Sequence, residues 1–319
     1  TAGALPGDTV QARLIRTGHV GINRVGEIVK ILRRTARPIV GVYHTVGRAA
    51  YVSPRQAVNI EDMLVMGGEE LEPKDGDYVV CRAEIDAPAY THPMCVITEV
   101  LGPADSPGMD VLIIVKKHDL PLRFPEEVTD ESKEIPADVT GEIISRRRDI
   151  RDTAAFTIDP DDARDFDDAL TISRRGDGGF DLGVHIADVA HYVKEDSAID
   201  LEARERGMSC YLVDRVIPMF PERLSNELCS LRPNEDRLTK SVFISLDKEG
   251  DILSWEAADT VIRSRQRLTY GQAQAYLDGN SEESGDGISP AVGESLRALS
   301  GLTDKIGRAS CRERVYHPV

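Results

Sequence analysis

Four of the aspartates in the segment F-T-I-D-P-D-D-A-R-D-F-D-D-A-L, namely Asp159, Asp165, Asp167 and Asp168, fall within ten residues of one another. Like charges this close repel, and they raise one another's pKa unless cations sit among the oxygens. Hard oxygen ligands with no His or Cys beside them suit Mg²⁺ or Mn²⁺ rather than zinc. An ordinary acidic run is a solvated face, but here the acids alternate with Phe156, Ile158, Phe166, Ala169 and Leu170. A strand would bury those apolar side chains and turn alternate carboxylates to one face. A calcium loop fits poorly, because counting from Asp159 the sixth and twelfth positions hold Arg164 and Leu170 where such a loop needs Gly and Glu. Asp167 lies centrally between two other ligand candidates and is the position most sensitive to loss of charge.

The elements that must carry these residues read as strands at 156–159, 169–173 and 179–187, a helix near 196–207, and strands near 209–213 and 241–246. Mixed order of this kind predicts an α+β domain over 151–305. Ahead of it, an offset of 69 residues aligns Gly7, Asp8, Val10 and Arg13 with Gly76, Asp77, Val79 and Arg82, and Ile28 and Leu32 with Ile97 and Leu101. Short strands repeated in this way predict OB-type β-barrels, the C-terminal part of one over 1–37 and a whole one over 38–102. The stretch 103–150, rich in Pro and acids, reads as a connector with a strand-like run Val111–Val115 and a short helix Glu126–Lys133. Residues 306–319 break the style of the chain, and Ile306–Val315 resembles one reading frame of a sequencing-library adapter. The expectation is therefore a chain that is native at neither end and stops inside its α+β domain.

With 319 residues and 41% hydrophobic content there is ample material for several cores. No apolar run is long enough for a membrane helix, no leader opens the chain, and the five scattered cysteines form no C-x-x-C pair, so a reduced, cytoplasmic setting is expected. The net charge of −16 is unfavourable for holding a polyanion, but it is uneven. Residues 1–50 carry eight Lys/Arg against two acids, and residues 151–200 thirteen acids against five bases, where cations would offset them.

The pattern T-I-D followed by D-x-D-D-A resembles the catalytic signature of the ribonuclease II/ribonuclease R exoribonucleases. So do the flanking G-V-H-I-A-D-V-A-H-Y-V and R-G-M-S-C-Y-L-V-D-R-V-I-P-M-F-P-E-R-L-S-N-E-L-C-S-L, and the likeness is closer to the ribonuclease R branch. The resemblance implies cold-shock-type OB barrels ahead of an RNB catalytic domain. It also implies a two-ion site on Asp159, Asp165, Asp167 and Asp168, with Mg²⁺ or Mn²⁺ bound, and hydrolysis of single-stranded RNA from the 3′ end to nucleoside 5′-monophosphates. The family's base-stacking aromatic falls on Tyr211. An intact member uses an arginine and an S1-type barrel that are absent before Lys305, so the chain alone is expected to be poorly active. A monomer is expected, with RNA-degradation machinery as the protein partner. The alternative is a non-catalytic RNA-binding module in which the acids hold a structural ion.

Further expectations rest on the residues themselves. Tyr43 and Tyr51 flank basic Arg48 and suit stacking of bases on an OB face. Arg146, Arg147, Arg148, Lys116, Lys117, Arg232 and Arg237 are available for phosphates. His185 reads as a satisfied strand residue and His191 as a surface one. Asp188 is a candidate to which the resemblance assigns no role.

Overall fold

A computed structural model describes residues 4, 7–16, 25–33, 37–55, 61–84, 93–280 and 287–316, with side chains from Gly307 onward outside the description. The chain divides into two compact units, Thr1–Arg123 with Cys210–Ile217, and Phe124–Ser209 with Pro218–Val319.

In the first unit, β1 (Thr9–Arg16) and β2 (Val25–Arg33) form an antiparallel pair. A closed barrel follows, made of β3 (Ile39–Val46), β4 (Ala49–Pro54), β5 (Met63–Val65), β6 (Asp77–Ala83) and β7 (Met94–Pro103), in the order β3-β4-β5-β7-β6. Closure removes free strand edges and leaves one interior face for apolar side chains. That interior is filled by Ile39, Tyr43, Val52, Met63, Val65, Val79, Cys81, Cys95 and Ile97. Tyr43, expected on a base-stacking face, is instead 6% exposed and part of this core. Alternation in a strand allows either parity, and the barrel took the tyrosine inward. Tyr51 is half-buried with its ring 5.1 Å from that of His44, and Arg48 is exposed in the β3–β4 turn.

The run expected as a strand, Val111–Val115, lies in a helix, α1 (Met109–Lys117). Gly108, at φ 76, turns the chain into it, and Val111 and Val115, one turn apart, are both buried. They pack with Cys210, Leu212 and Ile217 of a hairpin formed by residues 210–217. Tertiary burial of one helical face here overrides the β-preference of a Val/Ile-rich run.

The second unit opens with α2 (Glu126–Glu134) and α3 (Gly141–Ser145). Its seven-stranded sheet comprises β8 (Arg148–Asp149), β9 (Phe156–Asp159), β10 (Asp168–Arg174), β11 (Phe180–Ala187), β14 (Asp236–Leu246), β15 (Ile252–Arg263) and β16 (Gln266–Thr269). The strand order is β16-β9-β10-β11-β14-β15-β8, antiparallel except for the β16–β9 and β15–β8 pairs. The helices α4 (Val189–Tyr192) and α5 (Ala198–Arg206) follow β11; β12 (Cys210–Tyr211) and β13 (Val216–Ile217) are the hairpin of the first unit. Two further helices, α6 (Tyr270–Leu277) and α7 (Pro290–Tyr316), complete the unit. Thr269 and Gln272 form a reciprocal capping box that starts α6 directly at the end of β16.

The long helix α7 lays Val292, Leu296 and Leu302 on the sheet at helical spacing, against Phe156 and Leu268 and against Ile172, Phe180 and Leu246. Its extent includes part of the tail expected to be foreign; the side chains that would bear on that expectation lie outside the described residues. On the far side of the sheet, β8 pairs only with Thr260 and Val261, and Ile252, Leu253 and Trp255 of β15 are exposed, Trp255 by 68%.

On one face of the sheet, His185 is fully buried in a hydroxyl network. Its Nδ1 pairs with Ser241 Oγ at 2.7 Å and its Nε2 with Thr171 Oγ1 at 3.0 Å, and Ser241 continues to Thr260 and Thr239. Gly183 makes room for the ring, since a Cβ there would sit 2.8 Å from His185 Nε2 and 2.3 Å from Thr171 Oγ1. Burial lowers the His185 pKa from 6.5 to about 4. The unfolded chain takes up the proton near pH 6.5 and the folded chain does not until pH 4, so this group's contribution is complete above 6.5 and is lost as pH falls between those values. A loss of roughly 3 kcal/mol across that window is expected from this residue. An NMR titration of His185 gives the direct check, and a midpoint near 6.5 would refute the assignment.

Candidate metal and RNA site

The aspartate cluster is built where β9 ends and β10 begins. Along β9, Phe156 and Ile158 point into the apolar core under α7 and α6, which turns Thr157 and Asp159 to the opposite face. β9 is held by parallel pairing to β16 from Gln266↔Phe156 to Thr269↔Asp159. Asp168 opens β10 and pairs in register with Ile186 of β11. Between them, residues 160–167 form a loop that carries Asp165 and Asp167.

The four carboxylates differ in surroundings. Asp159 is only 8% exposed, and its Oδ2 is buried without a hydrogen-bond partner. Its pKa is raised, first by burial and also by the charges of Asp168 and Asp165, while the Thr157 hydroxyl beside it and the Arg267 charge pull the other way. Asp165 is half-buried, and Asp167 and Asp168 keep solvent access. Even so, the protein around the Asp167 carboxyl, together with the charges of Asp165, Asp168 and Asp159, pushes its pKa up to about 6. Four acids that act on one another in this way are brought into one neighbourhood.

Among the described residues, no three His, Cys, Asp or Glu side chains converge as the ligands of a single ion. The donor set nevertheless fits a hard divalent cation in kind. All its atoms are carboxylate oxygens, one of them is buried with no proton donor, and a cation would relieve the repulsion that raises Asp159 and Asp167.

Residues that sequence reasoning did not single out hold the loop. The Arg267 guanidinium on β16 donates to the carbonyls of Pro160 and, at 3.1 Å, Asp161, and stands 5.5 Å from the Phe166 ring. Ser230 Oγ donates to the Arg164 carbonyl at 2.7 Å and accepts from the Phe166 N–H at 3.2 Å. The Leu231 N–H donates to the Phe166 carbonyl, and the Ala187 N–H to that of Asp167, both at 2.9 Å. An Arg and a Ser distant in sequence give no local signal; only the resemblance includes Ser230, without a role.

The other expected residues distribute as follows. Tyr211 lies on β12 in the first unit and is 66% exposed. His191 is half-buried rather than superficial, packed edge-on against Tyr192. Several cations expected for phosphates are engaged by the protein instead. Arg147 forms a 2.6 Å pair with Asp188, their side chains 9% and 2% exposed. Arg237 donates to the carbonyls of Ser230 and Glu227 at 2.7 and 2.9 Å, and Arg232 to that of Asn226 at 2.5 Å. Lys116 pairs with Glu99, Arg146 with Glu142, and Arg148 with Glu256 while covering the Phe243 ring. Arg147 and Arg237 in this way satisfy the enclosed Asp188 carboxylate and Ser230 carbonyl, which folding would otherwise leave unpaired. Asp188, a candidate in sequence, is a structural partner of Arg147.

Comparison with known proteins locates these features. An RNB domain matches residues 147–314 and a cold shock domain residues 51–125. Ribonuclease R of Thermotoga maritima is 40% identical over 255 residues, 79% of this chain and 36% of that protein. Ribonuclease R of Acidithiobacillus ferrooxidans is 38% identical over 313 residues, 97% of this chain and 69% of that protein. Mycoplasma genitalium RNase R, solved in complex with ribose methylated single-stranded RNA, superposes with a TM-score of 0.82 at 26% identity, covering 97% of this chain and 48% of its own. The chain thus spans about a third of the length of the Thermotoga maritima relative and about half that of the solved one.

Proposed function

The chain belongs to the RNB-domain ribonuclease R family, and from that premise we propose that it takes part in 3′-to-5′ hydrolysis of single-stranded RNA, with release of nucleoside 5′-monophosphates. The observation that carries the proposal is the buried, undonated Oδ2 of Asp159 beside the mutually repelling Asp165, Asp167 and Asp168. These four residues would hold two Mg²⁺ or Mn²⁺ ions. Such ions, when bound, supply an acidified water and charge compensation for an in-line attack on phosphorus. The chain's own contribution is to hold four carboxylates in place: β9 and β10 fix Asp159 and Asp168, and the pinned loop presents Asp165 and Asp167.

On the RNA side, Tyr211 supplies an exposed ring for a base, a contact worth about 1–3 kcal/mol and indifferent to sequence. The barrel offers the Tyr51 ring and exposed Arg48 as further contacts for single-stranded RNA. The solved relative with single-stranded RNA supports RNA as the partner, and the bacterial relatives support a cytoplasmic place.

The test is incubation with 5′-labelled single-stranded RNA in Mg²⁺ or Mn²⁺ of the chain extended by the remainder of an intact family member, because the chain alone is expected to be poorly active. Stepwise shortening from the 3′ end, abolished by EDTA, is expected. Binding of RNA by the extended protein with no shortening in either ion would favour an RNA-binding module with a structural ion.

A further inference from the structure

Within the acidic segment, one side-chain hydroxyl holds the backbone on both sides of Asp165. Ser230, fully buried, lies after a π-helical turn (Arg223–Leu228), far from the aspartates in sequence. Its Oγ spans Arg164 and Phe166, donating to the carbonyl of the first and accepting from the N–H of the second. Asp165 is the residue between those two anchors. The next residue, Leu231, takes the Phe166 carbonyl, so two consecutive residues of one strap clasp the loop on both sides of Phe166.

The strap is fixed in its turn. The Ser230 carbonyl accepts from Arg237 Nε at 2.7 Å and from the Arg232 N–H at 2.8 Å. Arg237 projects from β14, which pairs directly with β11, and β11 pairs with β10, whose first residue is Asp168. Asp165 and Asp168 are therefore referred to the same sheet by two routes, one through the ladder and one through Ser230.

We propose that Ser230 is a positioning residue for the divalent-metal site, setting the place of Asp165 relative to Asp159 and Asp167. The inference rests on the metal reading given above. Ser230 touches no ion or substrate; it acts through the backbone of the loop. Groups that orient metal ligands from behind typically change metal affinity 10- to 100-fold when removed.

The experiment is a Mn²⁺ titration of the chain by calorimetry or electron paramagnetic resonance, which requires no turnover. Wild type is compared with Ser230→Ala and with Ser295→Ala, which removes another buried serine hydroxyl, bonded to the Ile172 carbonyl at 3.4 Å on α7. About tenfold or greater weakening is expected for Ser230→Ala and none for Ser295→Ala. Wild-type affinity in Ser230→Ala, or equal weakening in both variants, overturns the positioning role while leaving the metal reading in place. Failure of the wild-type chain to bind Mn²⁺ overturns the metal reading and this inference with it. Should Ser230→Ala not fold, Ser230→Cys, close in shape and a weaker hydrogen-bonding group, carries the measurement under the same criterion.

Discussion

Asp167→Asn is expected to lower the rate of RNA hydrolysis by roughly 10³-fold, the equivalent of about 4 kcal/mol of lost charge compensation in the transition state. Asn keeps the size of Asp, and the backbone of residue 167 remains fixed by the Ala187 N–H. The change removes one negative charge from a group that partial desolvation by the surrounding protein and three neighbouring carboxylates already disfavour as an anion. Without metal, therefore, the variant is expected to be at least as stable as wild type. Loss of activity together with equal or greater resistance to urea separates a ligand role from misfolding. A near-normal rate with the corresponding change in an intact homologue would refute the role of Asp167.

Asp188→Ala has the opposite profile. The Arg147 guanidinium is almost wholly enclosed, one of its nitrogens already lacks a partner, and Asp188 supplies its 2.6 Å counter-charge. Lys240 Nζ is 3.9 Å from the same carboxylate but belongs chiefly to Asp259, at 2.6 Å. Removing Asp188 strands a buried cation, at a cost of roughly 3–5 kcal/mol. In a unit of this size that corresponds to a fall in melting temperature of about 10 °C. The double change Arg147→Met with Asp188→Leu is expected to recover most of the loss, because it removes the enclosed charge as well as its partner. Thermal unfolding of the single and double variants is the measurement. A single variant within 1 kcal/mol of wild type would show that the pair is solvated.

The acidic segment was legible because two independent constraints coincide in it. Alternation in F-T-I-D requires that Phe156 and Ile158 share a face opposite Asp159, and the structure has that parity. Where only one constraint was available, the reading failed. An apolar run such as V-L-I-I-V satisfies strand and helix equally, and the packing of Val111 and Val115 against a hairpin from a distant part of the chain decided for the helix. Tyr43 failed for a related reason, since alternation reveals that residues share a face but not which face becomes the barrel interior. Two of the basic residues, Arg147 and Arg237, are enclosed by the protein, because a guanidinium's partner is a matter of tertiary structure. Nothing near Arg147 or Arg237 in sequence announces Asp188 or the Ser230 carbonyl. For the same reason the Ser230 hydroxyl that clasps the loop around Asp165 could be found only in three dimensions.

The chain has one tryptophan, and it sits on β15, next to the short edge strand β8 and outside the stretch that β8 pairs with, with most of its ring in water. Intrinsic indole emission will therefore be red-shifted already in the native protein and will change little on denaturation. Stability measurements on this molecule call for circular dichroism or a dye placed by design, because the natural fluorophore reports on the margin of the sheet and not on its interior.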